Sequence, residues 1–242
     1  MKNMKIYCVV TLGILCIFGS ASGQGSYSEP FKYDRSSFFV MVGYLDGPNF
    51  SDYVDWANQY YADTYGSTDK MHDFKSTFCF SVGLRTRFSQ YFAFEVDFLT
   101  SAKKSKEVFY SADGNYNYPI TLDLNVGAIT ASVPILFQFS RNQRVVPFIA
   151  AGATVFPFGL DHTASTTSYI YTDRLTKTAL AFNFSLGAET KISRKMWLTA
   201  RIDRTLGKAS MPVNQMISSE PDNFDIDLST TQIQCGIMYS FQ

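Results

Sequence analysis

From Thr77 to Phe88 every second residue is apolar. Phe78, Phe80, Val82 and Leu84 share one parity, and Cys79, Ser81, Gly83, Arg85 and Arg87 share the other. A period of two is that of a strand with unlike faces. The same alternation sets Phe92, Phe94, Val96 and Phe98 against Ala93, Glu95 and Asp97. It recurs with Leu180, Phe182, Phe184 and Leu186 against Asn183, Ser185, Gly187, Glu189 and Lys191. Leu198, Ala200 and Ile202 oppose Thr199, Arg201 and Asp203. At the end of the chain, Ile233, Cys235, Ile237, Tyr239 and Phe241 oppose Gln232, Gln234, Gly236, Met238 and Ser240.

Three further strands complete the set. One near 38–45 is apolar on both parities, and one runs from Val145 to Val155. The third runs from about Leu122 to Phe139 and begins with Leu122, Leu124 and Val126 opposite Asp123, Asn125 and Gly127. In that strand the apolar parity changes over near Val133-Pro134. Proline cannot donate to a ladder, so a bulge or a gap in the ladder is expected there, and a bulge would shift the alternation as seen.

The connections alternate in length. Segments 46–75, 101–120, 156–178 and 207–228 are long, whereas Ser89-Gln90, Arg141–Arg144 and Ser193–Lys195 are short. An unpaired terminal strand would be an exposed edge, and pairing it with the first strand removes that edge. The expected fold is all-β: an eight-stranded antiparallel up-and-down transmembrane β-barrel with four long outer loops and three short periplasmic turns. Both chain ends then fall on the periplasmic side.

Lys2 and Lys5 precede an apolar run, Ile6 to Phe18, that is followed by small residues. That run is too short to span a bilayer and reads as a secretory signal peptide. The expected organisation is a signal peptide over 1–23, a periplasmic leader over 24–36 and the barrel over 37–242. No later stretch suits a membrane helix, so integral membrane residence requires a closed barrel. The destination implied is the outer membrane, after Sec export. Acidic and basic side chains balance at 21 each, with no basic excess to argue for nucleic acid. Cys79 and Cys235 lie on opposite parities and are expected to remain free thiols.

A soluble ligand-binding barrel in the periplasm would show the same period with an apolar interior. Two features favour lipid outside. Gly83, Gly127, Gly187 and Gly236 lie on the polar parity, where a narrow lumen needs small residues to admit long charged ones. That parity also carries both signs of charge, namely Arg85, Arg87, Glu95, Asp97, Glu189, Lys191, Arg201 and Asp203. Enclosed charges must be paired. These eight residues are therefore the candidate luminal charge network, a side-chain plug more than a water path.

The first long loop carries Tyr53, Trp56, Ala57, Tyr60 and Tyr61 at helical spacing, with Ser51 placed to cap the helix. Its aromatic face would pack on the barrel rim. The sharper reading makes Tyr53, Trp56, Tyr60 and Tyr61 a contact surface for a protein or glycan. Lys103, Lys104 and Lys106 follow the third strand and would meet lipopolysaccharide phosphates by charge attraction, or would be a solvated run. His72 and His162 both fall in long segments, and neither has a metal-site partner at recognisable spacing. No metal or cofactor is expected. Asp161, His162 and Ser165 would make a hydrolase or acyltransferase site only if base, orienter and nucleophile met in space.

Val133-Pro134-Ile135-Leu136-Phe137-Gln138-Phe139, a short turn, and Pro147-Phe148-Ile149-Ala150-Ala151-Gly152 resemble a strand–turn–strand segment of PorT-type outer-membrane barrels of Bacteroidetes-like bacteria. Phe184–Glu189 resembles their glycine-containing sixth strand. The architecture is also similar to small OmpA- and OmpX-like barrels. The aromatic end of the chain resembles the terminal signal of such proteins. This resemblance implies recognition by the barrel-assembly machinery through the last strand. Other expected partners are outer-membrane lipid, lipopolysaccharide and an extracellular or envelope protein. The expected function is a non-enzymatic structural or surface-interaction role through the outer loops. The alternatives are an outer-membrane enzyme (lipid-modifying or protease) at the loop face and the soluble periplasmic barrel.

Overall fold

The computed structural model describes residues 36–140, 143–165, 170–212 and 223–241. The signal peptide and the leader lie outside these residues. Eight strands close a barrel: β1 (Ser36–Asp46), β2 (Thr77–Arg87), β3 (Ala93–Tyr110), β4 (Asn117–Leu136), β5 (Val145–Ser165), β6 (Ile170–Lys191), β7 (Met196–Leu206) and β10 (Thr230–Phe241). A helix, α1 (Ser51–Tyr65), stands in the β1–β2 connection. A separate hairpin, β8 (Lys208–Pro212) with β9 (Asn223–Asp227), stands between β7 and β10. The first and last strands pair antiparallel from Ser36↔Phe241 to Asp46↔Thr231, which removes both edges.

Strand length divides the wall into a low side and a tall side. β1, β2 and β7 have 11 residues each and β10 has 12, close to the number that crosses a bilayer when tilted. β3, β4, β5 and β6 have 18, 20, 21 and 22 residues and rise well beyond it. Much of segments 101–120 and 156–178, expected as loops, is therefore wall; β3 and β4 are joined through only 111–116.

The apolar parity faces outward around the lower wall. Phe94, Phe184 and Ile237 are 46%, 51% and 49% exposed, whereas Arg85 and Glu95 are 3% and 2% exposed inside. Phe78, Phe98, Ile129, Val155, Leu180, Ile202 and Phe241 continue this band around the barrel. Above the band the faces exchange roles. In β4, Leu122, Leu124 and Val126 are buried in the lumen, while Asp123, Asn125 and Gly127 face outward. The tall strands meet water there, and their inner faces meet the loops that lean in from the low side.

That exchange explains the parity change in β4 without a bulge. Pairing with β3 and β5 keeps one register from end to end, and Pro134 sits opposite Ala150. The β3–β4 ladder breaks after Glu95↔Ser132 and resumes as a single bridge at Phe92↔Ile135, so the missing N–H of Pro134 falls in that gap, where proline is tolerated. The crossover lies between Val126 and Ile129, at the top of the lipid band. Gly127 accordingly faces outward and not into the lumen as expected.

Replacing Phe184 by Arg should destabilise the barrel by about 2–4 kcal/mol, because the charge enters hydrocarbon, whereas Thr121→Arg above the band should cost under about 1 kcal/mol. Reversible guanidinium unfolding from lipid vesicles reads both. Equal effects would remove the assignment of the band.

Candidate functional site: a sealed lumen and its capping helix

The lower lumen is filled by one network of ion pairs. The guanidinium of Arg85 contacts Glu95 through Nε at 2.6 Å and Nη2 at 2.5 Å, and also reaches across to Glu189. Arg87 Nη2 donates to the other Glu189 oxygen at 2.7 Å. Arg201 contacts Glu95 and Asp97, lies 2.9 Å from Asp203, and donates from Nε to Gln234 Oε1 at 3.1 Å. The side chains come from β2, β3, β6, β7 and β10, so the network ties opposite sides of the wall together. Away from water such pairs hold only because each group has partners.

Aromatic rings floor and flank the charges. Arg85 lies 4.8 Å over Phe148, Arg87 5.4 Å over Trp197, and Arg201 5.6 Å over Phe39. Cation–π contact adds to the ion pairs in this dry setting. The luminal glycines serve these rings. A Cβ on Gly83 would come 2.3 Å from Phe39 Cζ, and one on Gly187 would come 2.5 Å from Phe148 Cζ. Small residues thus admit phenylalanines, and the arginines lie on the phenylalanine faces.

The upper lumen is an apolar core. Phe109, Ile120, Leu122, Leu124, Val126, Phe156, Phe158 and Leu160 of the tall strands pack against Phe50, Tyr53, Val54, Ala57 and Tyr61 of the β1–β2 connection. Phe224, Ile226 and Leu228 close the remaining side. Tyr61 stacks on Phe109 with centroids 4.5 Å apart, and Tyr53 meets Phe224 edge-on at 5.0 Å. The Tyr53 hydroxyl lies 2.5 Å from His162 Nε2, joining the helix to β5. Asn58 holds the returning chain by donating to Met71 O at 3.0 Å and accepting from Met71 N at 2.7 Å. The helix starts differently from the expectation: Phe50 is the N-cap and Ser51 is already helical. Gly66 ends it in the left-handed region at φ 63°.

Of the eight expected luminal residues, Arg85, Arg87, Glu95, Asp97, Glu189, Arg201 and Asp203 form this one group. Lys191 does not join it. It shares the luminal parity but ends β6 at the short-turn mouth of the barrel, where it is exposed, with its ammonium 5.5 Å from the Trp197 ring. The expected contact surface divides as well. Tyr53 and Tyr61 are buried and serve the cap's inner face, whereas Trp56 and Tyr60 are half-buried and stacked at 5.4 Å. Gln234, Phe39, Phe148 and Trp197 were missed as members of the site. Parity placed Gln234 in the lumen, and the doubly apolar first strand was the signal for Phe39.

Lys103 also departs from the basic run. It points inward and is 5% exposed, while Lys104 faces outward and pairs with Asp123 at 3.0 Å. Asp161, His162 and Ser165 do not converge. His162 is 3% exposed inside the barrel, whereas Asp161 faces outward and pairs with Arg174 at 3.4 Å. Successive strand residues point to opposite faces, so a triad cannot assemble from this stretch. Among the described residues, no group of His, Cys, Asp or Glu is arranged to hold a metal ion. Cys79 is buried, Cys235 is exposed, and both are free.

The family described as outer membrane protein beta-barrel domain matches residues 45–241. The chain belongs to this family. It is an integral outer-membrane β-barrel, with the apolar band in lipid. Among solved structures, it is similar to the outer membrane protein OprG from Pseudomonas aeruginosa, with a TM-score of 0.52 and 10% identity over 86% of this chain and 97% of that one. It is also similar to Neisserial surface protein A, with a TM-score of 0.46 and 10% identity over 86% of this chain and 98% of that one. No curated protein matches the sequence.

Arg201→Met should destabilise this outer-membrane barrel by about 3–5 kcal/mol, because Glu95, Asp97 and Asp203 lose a shared cation in a dry lumen. Adding Asp97→Asn and Asp203→Asn should recover part of that loss. Urea titration followed by the gel shift between folded and unfolded forms measures both. A neutral Arg201→Met would break the account.

Proposed function

We propose that this outer-membrane barrel is a non-enzymatic scaffold that conducts no solute and presents its extracellular cap as a contact surface. The observation that carries the reading is a lumen closed by the Arg85–Glu189–Arg201 network below and the α1 core above, with only a cavity of about 10 Å³ beside Arg201 and Asp203 between them. An eight-stranded barrel has room for side chains but not for an open channel beside them. The cap's outward face consists of Asp52, Asp55, Gln59 and Asp63, bordered by the stacked Trp56–Tyr60 pair. That acidic, aromatic-edged face suits a basic segment of an extracellular or envelope protein.

The remaining partners follow from position. Lipopolysaccharide and phospholipid surround the wall, and β10, with Phe241 exposed on the lipid side, is the strand offered to the barrel-assembly machinery. The Val133–Phe139 and Pro147–Gly152 segments favour PorT-type kinship within the family. The separation of His162 from Asp161 and Ser165 supports the non-enzymatic reading.

Planar-bilayer recordings test the seal. The full chain should give no stable conductance, and large stable openings would end the reading. A photo-crosslinker at Gln59 tests the surface. In intact outer membranes it should give a discrete adduct that Trp56→Ala with Tyr60→Ala removes, while heat-modifiable migration persists. Failure to form any adduct would leave a structural role alone.

A further inference from the structure

The luminal network does not balance in charge. Three guanidiniums, of Arg85, Arg87 and Arg201, meet four carboxylates, of Glu95, Asp97, Glu189 and Asp203. One negative charge is left over in an interior ringed by hydrocarbon, where an uncompensated charge is costly. Lys191 does not cancel it, because it lies exposed at the short-turn mouth. Lys103 does not either, because it stands on β3 beyond Leu99 and Ser101, in the upper lumen.

The surplus has a place in the fold. Asp203 is 2% exposed; its Oδ2 lies 2.9 Å from Arg201 Nε, and its Oδ1 has no hydrogen-bond partner. With Asp97 and Arg201 it lines a cavity of about 10 Å³, room for one water-sized particle. Two carboxylates and one guanidinium give that cavity a local charge of the same sign as the surplus. The remaining liners, from β4, β6 and β10, are neutral and carry oxygen: Thr130, Ser132, Asn183, Ser185 and Gln232. The Ser185 hydroxyl donates to Asn183 Oδ1 at 3.0 Å, and the Asn183 amide donates to Thr205 Oγ1 at 3.3 Å. The Ser185 proton is thus taken up by Asn183, and its lone pairs are left for the cavity. Thr130 lies 3.0 Å from the Thr154 hydroxyl, which gives its proton an acceptor in the same way.

We infer that this cavity binds one monovalent cation of sodium's size. A single unit charge neutralises what the arginines leave over. Asp203 Oδ1 and Asp97 supply carboxylate oxygens, and Thr130, Ser132, Ser185 and Gln232 supply neutral ones, the hard donors that such an ion takes. A divalent ion fits on neither count. It would leave the network positive, and magnesium keeps several waters for which the cavity has no room. The ion joins β3 and β4 to β6, β7 and β10 across the lumen, so its site exists only in the closed barrel. Sodium therefore favours the folded state by mass action.

The test is reversible urea unfolding of the full chain in zwitterionic lipid vesicles. Sodium chloride is exchanged for choline chloride at fixed pH and constant ionic strength, choline being too large for the cavity. Once the site is near saturation, each tenfold rise in sodium should raise the folded-to-unfolded ratio about tenfold, the slope for one ion. Asp203→Asn removes the surplus charge at nearly constant side-chain size and should abolish the sodium dependence. Ser132→Ala removes one neutral donor, leaves every charge in place and should move the dependence to higher sodium. Wild-type unfolding indifferent to sodium would overturn the site. So would an unchanged dependence in either variant. Stability that follows pH but not sodium would overturn it as well, because a proton would then carry the missing charge.

Discussion

The solvent around this wall changes with height, and most of the structure follows from that change. Around the lower wall hydrocarbon demands apolar side chains outside, so the polar parity is forced into the lumen. Around the upper wall water accepts polar side chains outside, so the apolar parity turns inward. β4 records both regimes in a single unbroken register: Leu122, Leu124 and Val126 inward, then Ile129, Val133 and Ile135 outward. No bulge is needed, because the strand does not change; its surroundings do.

Each regime leaves an interior that must be filled differently. Below, the enclosed polar parity brings charges that are tolerable only when mutually satisfied. Arg201 answers three carboxylates, and Arg85 links Glu95 of β3 to Glu189 of β6. Above, an apolar interior open to water would be equally unfavourable, and the barrel covers it with its own loops. The low strands supply those loops and the tall strands supply the inner wall. The difference in strand length is therefore what makes room for α1 and the β8–β9 hairpin.

A recess on the outer wall, lined by Thr100, Gly127, Pro157 and Thr176, belongs to the boundary between the two regimes. There the wall can no longer present bulky apolar groups and does not yet need dense charge. A band of small residues results, with aliphatic rows beneath and ion pairs above. The cap above the lumen and the recess on its outer wall are thus two outcomes of one transition, seen from opposite sides of β3–β6.

Alternation, connection length and the aromatic terminal strand sufficed to place eight antiparallel strands, close the first on the last and put Arg85 and Glu95 inside, because parity is a local property that one solvent boundary orients. The helical spacing of Tyr53, Trp56, Ala57 and Tyr61 was equally legible. What residue order could not convey was height. Whether Leu122 faces hydrocarbon or a loop depends on where the membrane ends along β4, and that is set by packing between segments far apart in sequence. The same holds for Lys191, which parity sends to the lumen and the open mouth of the barrel returns to water, and for Tyr53 and Tyr61, which become core only because the tall strands stand behind them. Parity is written in the chain; depth is decided by the assembled wall.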